Sequence, residues 1–332
     1  LQDRISAGVN LVRVLGMVDS FEHFYPQEHP EYYTRLRPFA DMLASRGLRM
    51  EFVPFADALI IMPSESQREE HANRVIEALA HHPAVFIEPA NEPGHGDQIS
   101  EEEAHTLGLR MQGQGIPIAT SIWAESIPEG TTAVPTLDFG THHPDRGDEW
   151  PRFCRALDEV CKGWGWPDGT SFAGLHVPMV GDEPMGAAET DQPGRRSNVP
   201  SDFREYANGC ALMGAGATFH SDDGIDSVVW GPKQRECALA FFAGLSYVPV
   251  ECQLAPYQRG GAGGGSGVGN MPIVHYDLNE NTDPGALRSY AKLDKDGNEY
   301  ALAIRATVPD LVPRDGWRLV EQPFRGIGKL TR

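Results

Sequence analysis

The chain has 332 residues, a formal net charge of −19, 40% hydrophobic residues, 36 glycines and 26 prolines. That length suits one large domain with an appendage, and no apolar run reaches the ~18 residues that a membrane helix needs. The acidic balance argues against nucleic acid, whose phosphate backbone calls for basic patches, and is compatible with an uncharged partner such as a saccharide.

In chain order, residues 8–15 read as a strand carrying one internal charge, Arg13. Residues 31–47 place Tyr33, Leu36, Phe39, Ala40 and Leu43 at helical spacing, with Gly47 as the stop. A strand follows at 48–53. Ser64 and Gln67 have capping-box spacing and open a helix to about His81. The apolar run 84–89 is a strand that empties into Asn91-Glu92-Pro93. Ser100 and Glu103 open a second capped helix, to about Gln114. Further strands are expected at 117–123, 137–142, 174–180 and 217–220, and further helices at 148–163, 200–214 and 232–245. The connection between Trp123 and Leu137 is too short for a full helix.

After Leu245 the texture changes. Residues 259–270 are nearly all glycine and read as a loop or linker. They lack the Lys-Ser/Thr of a phosphate loop. Beyond them, two alternating runs flank Asp294-Lys295-Asp296-Gly297, a hairpin signal. The expected organisation is a barrel over 1–258, a glycine-rich loop or linker over 259–270 and a small β-rich segment over 271–332.

Seven strands, mostly separated by single helices, imply a parallel sheet. Polar residues cluster after several strand ends: Asn91/Glu92, His142/His143, Asp182/Glu183 and His220/Asp222. A ring of strand ends aims such residues at one centre, whereas an open doubly wound sheet gathers its site at one switch point. The expected fold is therefore an α/β (β/α)8 TIM barrel. Its first strand is expected before Leu1, the native N-terminus not being represented, or another segment, from the C-terminal region, is expected to fill the gap.

Two glutamates at separate strand ends, Glu92 and Glu183, are candidates for a glycoside-cleaving pair. Cleavage with retention needs two carboxyl groups about 5–5.5 Å apart, one protonated and one ionised. These residues and Asn91 resemble glycoside hydrolase clan A, the retaining (β/α)8 glycosidases of the cellulase-like superfamily, over residues 9–222. The resemblance implies that Glu92, after Asn91, is the acid/base at the end of the fourth strand. It implies that Glu183 is the nucleophile at the end of the seventh. Arg13 resembles the second-strand arginine that supports the nucleophile. His142 or His143 resembles an imidazole near it, His142 being preferred. Asn91 is placed to bond the sugar 2-hydroxyl. The sequence Gly181-Asp-Glu-Pro-Met-Gly186 departs from the clan's Gly-Glu-Phe/Trp-Gly, which makes Asp182 a competing candidate. The eighth strand ends in Phe219-His220-Ser-Asp222 rather than tryptophan, so Trp123 is the expected sugar platform and His220 a supporting residue.

The five cysteines match neither zinc nor redox spacing, and Cys154 and Cys161, seven apart on an expected helix, read as small core residues. No cofactor is implied. Two other readings compete: a non-catalytic carbohydrate-binding or structural protein on a degenerate barrel, and a metallohydrolase using His142, His220 and Asp222. The sugar, linkage, compartment and oligomeric state are left open.

Overall fold

The computed structural model describes residues 5–6, 8–19, 25–123, 137–143, 179–182, 186–187, 196–197, 199–213, 216–220, 231–247, 286–293, 299–305, 318–324 and 327–331. By its contacts the chain divides into two compact units: residues 1–143 with 177–180, and residues 144–176 with 181–332.

In the first unit, β1 (Leu11–Leu15), β2 (Arg49–Val53) and β3 (Val85–Ile87) form a parallel sheet in that order. A parallel bridge between Ile87 and Ile118 carries the order on to β4 (Ala119–Trp123), which pairs in parallel with β5 (Phe139–His143). β6 (Met179–Gly181), whose first two residues belong to this unit, comes next. Spatial order thus follows chain order from β1 to β6. A doubly wound sheet would reverse its order at a switch point; uninterrupted succession is the signature of a (β/α) barrel.

The helices follow the sequence signals. α1 (Tyr32–Ala44) buries Tyr32, Leu36, Ala40 and Leu43 on one stripe. A short turn, α2 (Ala58–Ile61), was not foreseen and follows β2. α3 (Glu65–Leu79) opens at Ser64, whose N–H donates to Gln67 Oε1 at 3.3 Å. α4 (Glu101–Met111) opens at Ser100, whose hydroxyl accepts the Glu103 N–H at 3.1 Å. The Glu103 carboxylate turns away from that cap and pairs with Arg68, tying α4 to α3.

Strand parity then divides the residues between two faces. Met50, Phe52, Val85, Ile87 and Ile118 join Leu36, Val75, Leu79 and Leu107 in one buried cluster beneath the helices. The alternate positions, Arg13, Glu51, Phe86, Phe139, Thr141 and His143, lie on the opposite face. There Phe86 and Phe139 meet edge to face, with centroids 5.1 Å apart.

The second unit contains α5 (Pro200–Met213) and α6 (Pro232–Tyr247). They pack closely: a Cβ on Gly244 would lie 2.6 Å from the Arg204 carbonyl oxygen. Two-residue strands pair in parallel, β7 (Gly186–Ala187) with β8 (Arg196–Ser197). The carbonyl of Gly181 accepts the Thr218 N–H at 2.9 Å, just beyond β9 (Gly216–Ala217). The C-terminal β10 (Ala286–Leu293) and β11 (Glu299–Arg305) pair antiparallel, the predicted Asp-Gly turn between them lying outside the described residues. β12 (Arg318–Phe324) and β13 (Ile327–Thr331) complete a four-stranded sheet of order β10-β11-β13-β12. The expected helix at 148–163 and the glycine-rich 259–270 lie outside the described residues. Among the described residues no helix is long and apolar enough to cross a membrane.

Candidate active site

The site in the first unit is built around Glu88, which follows directly on β3. Its carboxylate is fully buried, and its N–H donates to the Phe52 carbonyl at 3.1 Å, continuing the pairing with β2. Burying an ionised carboxylate is costly unless charge and hydrogen bonds compensate it. Here Arg13, from β1, donates to Glu88 Oε2 through Nε at 2.9 Å and Nη2 at 2.6 Å. Thr141, from β5, donates to Oε1 at 2.8 Å. His143 Nε2 lies 3.2 Å from the same oxygen. Burial pushes the Glu88 pKa up, but Arg13 and His143 outweigh it and hold the group below the ordinary carboxylate value.

Asn91 and Glu92 sit on the turn after β3. The Asn91 N–H donates to the Phe55 carbonyl at 2.8 Å, and Asn91 Oδ1 accepts from Arg13 Nη2 at 2.9 Å. Glu92 is 7% exposed and has φ of 42°, in the left-handed region that a side chain rarely adopts. Such a conformation costs on the order of 1–3 kcal/mol and persists where surrounding contacts impose it. Glu92 Oε1 lies 3.4 Å from His143 Nδ1, and Oε2 lies 3.8 Å from Nδ1 of the exposed His95. Burial alone would lower the His143 pKa; its hydrogen bond to Glu88 and the Glu92 carboxylate beside Nδ1 outweigh that and raise it to about 10.

The structure thus brings together Arg13, Asn91, Glu92 and His143, with Glu88 and Thr141 added. One preference needs correction. The ring in the site is that of His143, not the preferred His142, because parity along β5 puts residue 143 on the face of Thr141. Arg13 pairs with Glu88 and Asn91, and its expected support of Glu183 falls on a residue outside the described ones. Glu183 and Asp222 lie outside the described residues, as do the side chains of Trp123 and His142. In the second unit, Asp182 is buried, and its charge adds to burial in pushing the Cys210 thiol up to about 12. His220 is half-buried in that unit. Cys210 and Cys237 are buried free thiols, and Cys154 and Cys161 lie outside the described residues.

Glu88 and Thr141 were not singled out from the sequence. The signal for Glu88 was a lone acid at the end of an apolar run, matching the lone cation Arg13 in another. Thr141 carried no signal of its own.

No family model matches the chain, and no curated protein does. Among solved structures, one described as a glycoside hydrolase matches with a TM-score of 0.55 at 11% identity, covering 99% of this chain and 81% of that one. The chain has a glycoside hydrolase fold. A glycoside hydrolase family 5 structure from Bacteroides vulgatus has a TM-score of 0.49 at 14% identity over 69% of this chain. The chain spans 55% of that structure's length. Endo-glycoceramidase II from Rhodococcus sp. has a TM-score of 0.45 at 13% identity, covering 99% of this chain and 90% of that one. The (β/α) succession of the first unit agrees with this barrel fold, and the polar network lies where such barrels carry chemistry, at the carboxyl ends of the strands.

Proposed function

We propose that the protein is a retaining glycoside hydrolase acting on a β-linked saccharide, with Glu92 as acid/base and Glu183 as nucleophile. The observation that carries the reading is Glu92 itself. It is a nearly buried carboxyl group in a left-handed backbone conformation at a strand's carboxyl end, with one oxygen against an imidazole. A group so constrained is oriented before substrate arrives, which removes an entropic part of the barrier. In the first step Glu92 gives its proton to the leaving oxygen while Glu183 attacks the anomeric carbon. In the second, Glu92 takes a proton from water as that water displaces Glu183. Asn91, fixed through Oδ1 by Arg13, offers its amide N–H to the sugar 2-hydroxyl. Trp123 and His220 are assigned to sugar contacts on sequence grounds alone.

The test is a set of aryl β-glycosides with graded leaving groups. Glu183→Gln is expected to abolish turnover of all of them. Glu92→Gln is expected to lose on the order of 10²–10⁴-fold on poor leaving groups and much less on activated aryl leaving groups, which need no protonation. Wild-type rates in both variants would refute the assignment.

A further inference from the structure

The hydrogen atoms around Arg13 and His143 can be counted, and the count decides the state of the imidazole. Arg13 Nη2 carries two hydrogens and no lone pair that accepts. It stands 2.6 Å from Glu88 Oε2, 2.9 Å from Asn91 Oδ1 and 3.2 Å from His143 Nε2. The two oxygens are nearer and are stronger acceptors, so the hydrogens go chiefly to them, and His143 Nε2 is left at most a share of one. A bare Nε2 would also set its lone pair against Glu88 Oε1 at 3.2 Å, so this nitrogen carries a hydrogen and donates it there.

Glu88 closes the count. An ionised carboxylate offers about four acceptor sites. Oε2 takes Arg13 Nε and Nη2, and Oε1 takes Thr141 Oγ1 and His143 Nε2. With Nε2–H committed to Glu88, the ring's other nitrogen, Nδ1, is the atom that faces Glu92 Oε1 at 3.4 Å.

We infer that Glu88 is a positioning residue that acts on Glu92 through His143, fixing Nε2–H and leaving the Nδ1 proton to face Glu92 Oε1 at ion-pair distance, 3.4 Å. Moving that proton from nitrogen to oxygen breaks one N–H bond and forms one O–H bond. The ring becomes neutral, Glu92 becomes a carboxylic acid, and Nε2–H stays on Glu88 throughout. The Glu88 anion favours the form with the charge on the ring. The ring then serves as a local proton store for the acid. Among the described residues of this unit, the charged groups facing the ring are Arg13 from β1 and Glu88 and Glu92 from the end of β3. Glu51 on β2 lies in register with Arg13, and His95 stands at the far oxygen of Glu92. The state of the ring does not depend on catalysis; only its use by Glu92 rests on the glycosidase reading.

Nitrogen-15 NMR of the full chain, labelled at its 12 histidines, reads the ring directly, with His143 assigned by difference against His143→Gln. In the wild type at neutral pH, both ring nitrogens of His143 are expected to be protonated. In Glu88→Gln the same ring is expected to bind its Nδ1 proton at least tenfold more weakly, and Glu88→Asp should restore part of that affinity. On aryl glycosides, Glu88→Gln should lower kcat at least tenfold with KM within about twofold. A wild-type ring with bare Nε2, or a Glu88→Gln ring unchanged, would overturn the inference. The wild-type spectrum decides even if the variant does not fold. If no glycoside is turned over while the ring behaves as expected, the glycosidase reading fails and the positioning stands.

Discussion

Replacing Arg13 with methionine tests the energetics of the whole polar layer. Methionine keeps much of the length and apolar stem but removes, among the described residues, two hydrogen bonds to Glu88 and one to Asn91. Glu88 has no exposure to solvent, and the Arg13 side chain has 9%. Water therefore cannot replace the lost cation. Removing one partner of a buried pair costs about 3–5 kcal/mol, because the other charge is left without compensation. Replacing both partners costs less. In the double variant Arg13→Met/Glu88→Met, the uncompensated charge is gone, and what remains is the loss of partners for Thr141, His143 and Asn91. Those are worth about 0.5–1.5 kcal/mol each. The double variant is thus expected to be the same as or more stable than the single one, by up to a few kcal/mol, although it carries more changes. The pH dependence has a fixed sign. The Glu88 pKa is held low in the folded protein, so its stabilisation is present above the ordinary carboxylate value and is lost as pH falls through the folded one. The penalty of Arg13→Met should accordingly be largest near pH 7 and shrink in acid, where Glu88 is protonated. Urea unfolding of wild type and the two variants at neutral and acidic pH measures all of this. A single variant within 1 kcal/mol of wild type at pH 7, or a penalty that grows in acid, would refute the reasoning.

Three further outcomes follow from the same structure. His143 has its pKa raised to about 10, so its contribution is complete below the ordinary value of about 6.5 and is lost as pH rises towards 10; His143→Gln should remove that slope from urea midpoints measured across the range. His71 accepts from the Tyr33 hydroxyl at Nδ1 (2.7 Å), lies with Nε2 3.3 Å from the Pro54 carbonyl, and has its pKa lowered by burial to about 4. The unfolded chain therefore takes up that proton first, and stability should fall as pH drops from about 6.5 to 4. Tyr33→Phe should cost about 0.5–1.5 kcal/mol at pH 7, read by the same titration. Gly108→Ala, which in an exposed helix would stabilise, should instead cost about 1–3 kcal/mol in thermal unfolding, because the new Cβ would lie 2.5 Å from Leu137 Cδ1 and 3.2 Å from Pro89 Cγ, directly behind Glu88.

The strands and helices were legible because periodicity is local: an apolar stripe at helical spacing needs no knowledge of its partner. The barrel was legible one level higher, from strand and helix alternation with polar residues after several strand ends. Asn91 and Glu92 stood out because they interrupt an apolar run with a turn-forming Pro93. Glu88 stands four residues before Glu92 and was read as part of the strand. An acid and a cation, each alone in an apolar strand, must find each other if both are buried. Recognising this pair required treating Arg13 and Glu88 as one problem rather than two. The choice between His142 and His143 turned on parity, and the expected strand ended one residue short, at 142, where the structure continues it to His143.

The conformation of Glu92 lies beyond any local rule. Left-handed backbone is ordinarily a glycine's role, and Gly94 two residues on also has positive φ, at 88°. What holds Glu92 there is one long-range bond together with two within the turn. The Asn91 N–H is fixed on Phe55, the Gly94 N–H donates to the Ile99 carbonyl at 2.8 Å, and the His95 N–H returns to the Glu92 carbonyl at 3.1 Å. Phe55 lies two residues beyond the end of β2, so the strand beside β3 sets where the turn begins. The turn in turn aims Glu92 Oε1 at a ring from β5. Sequence names the carboxyl group, but its direction is a product of three strands meeting, and that direction suits it to hand a proton onward.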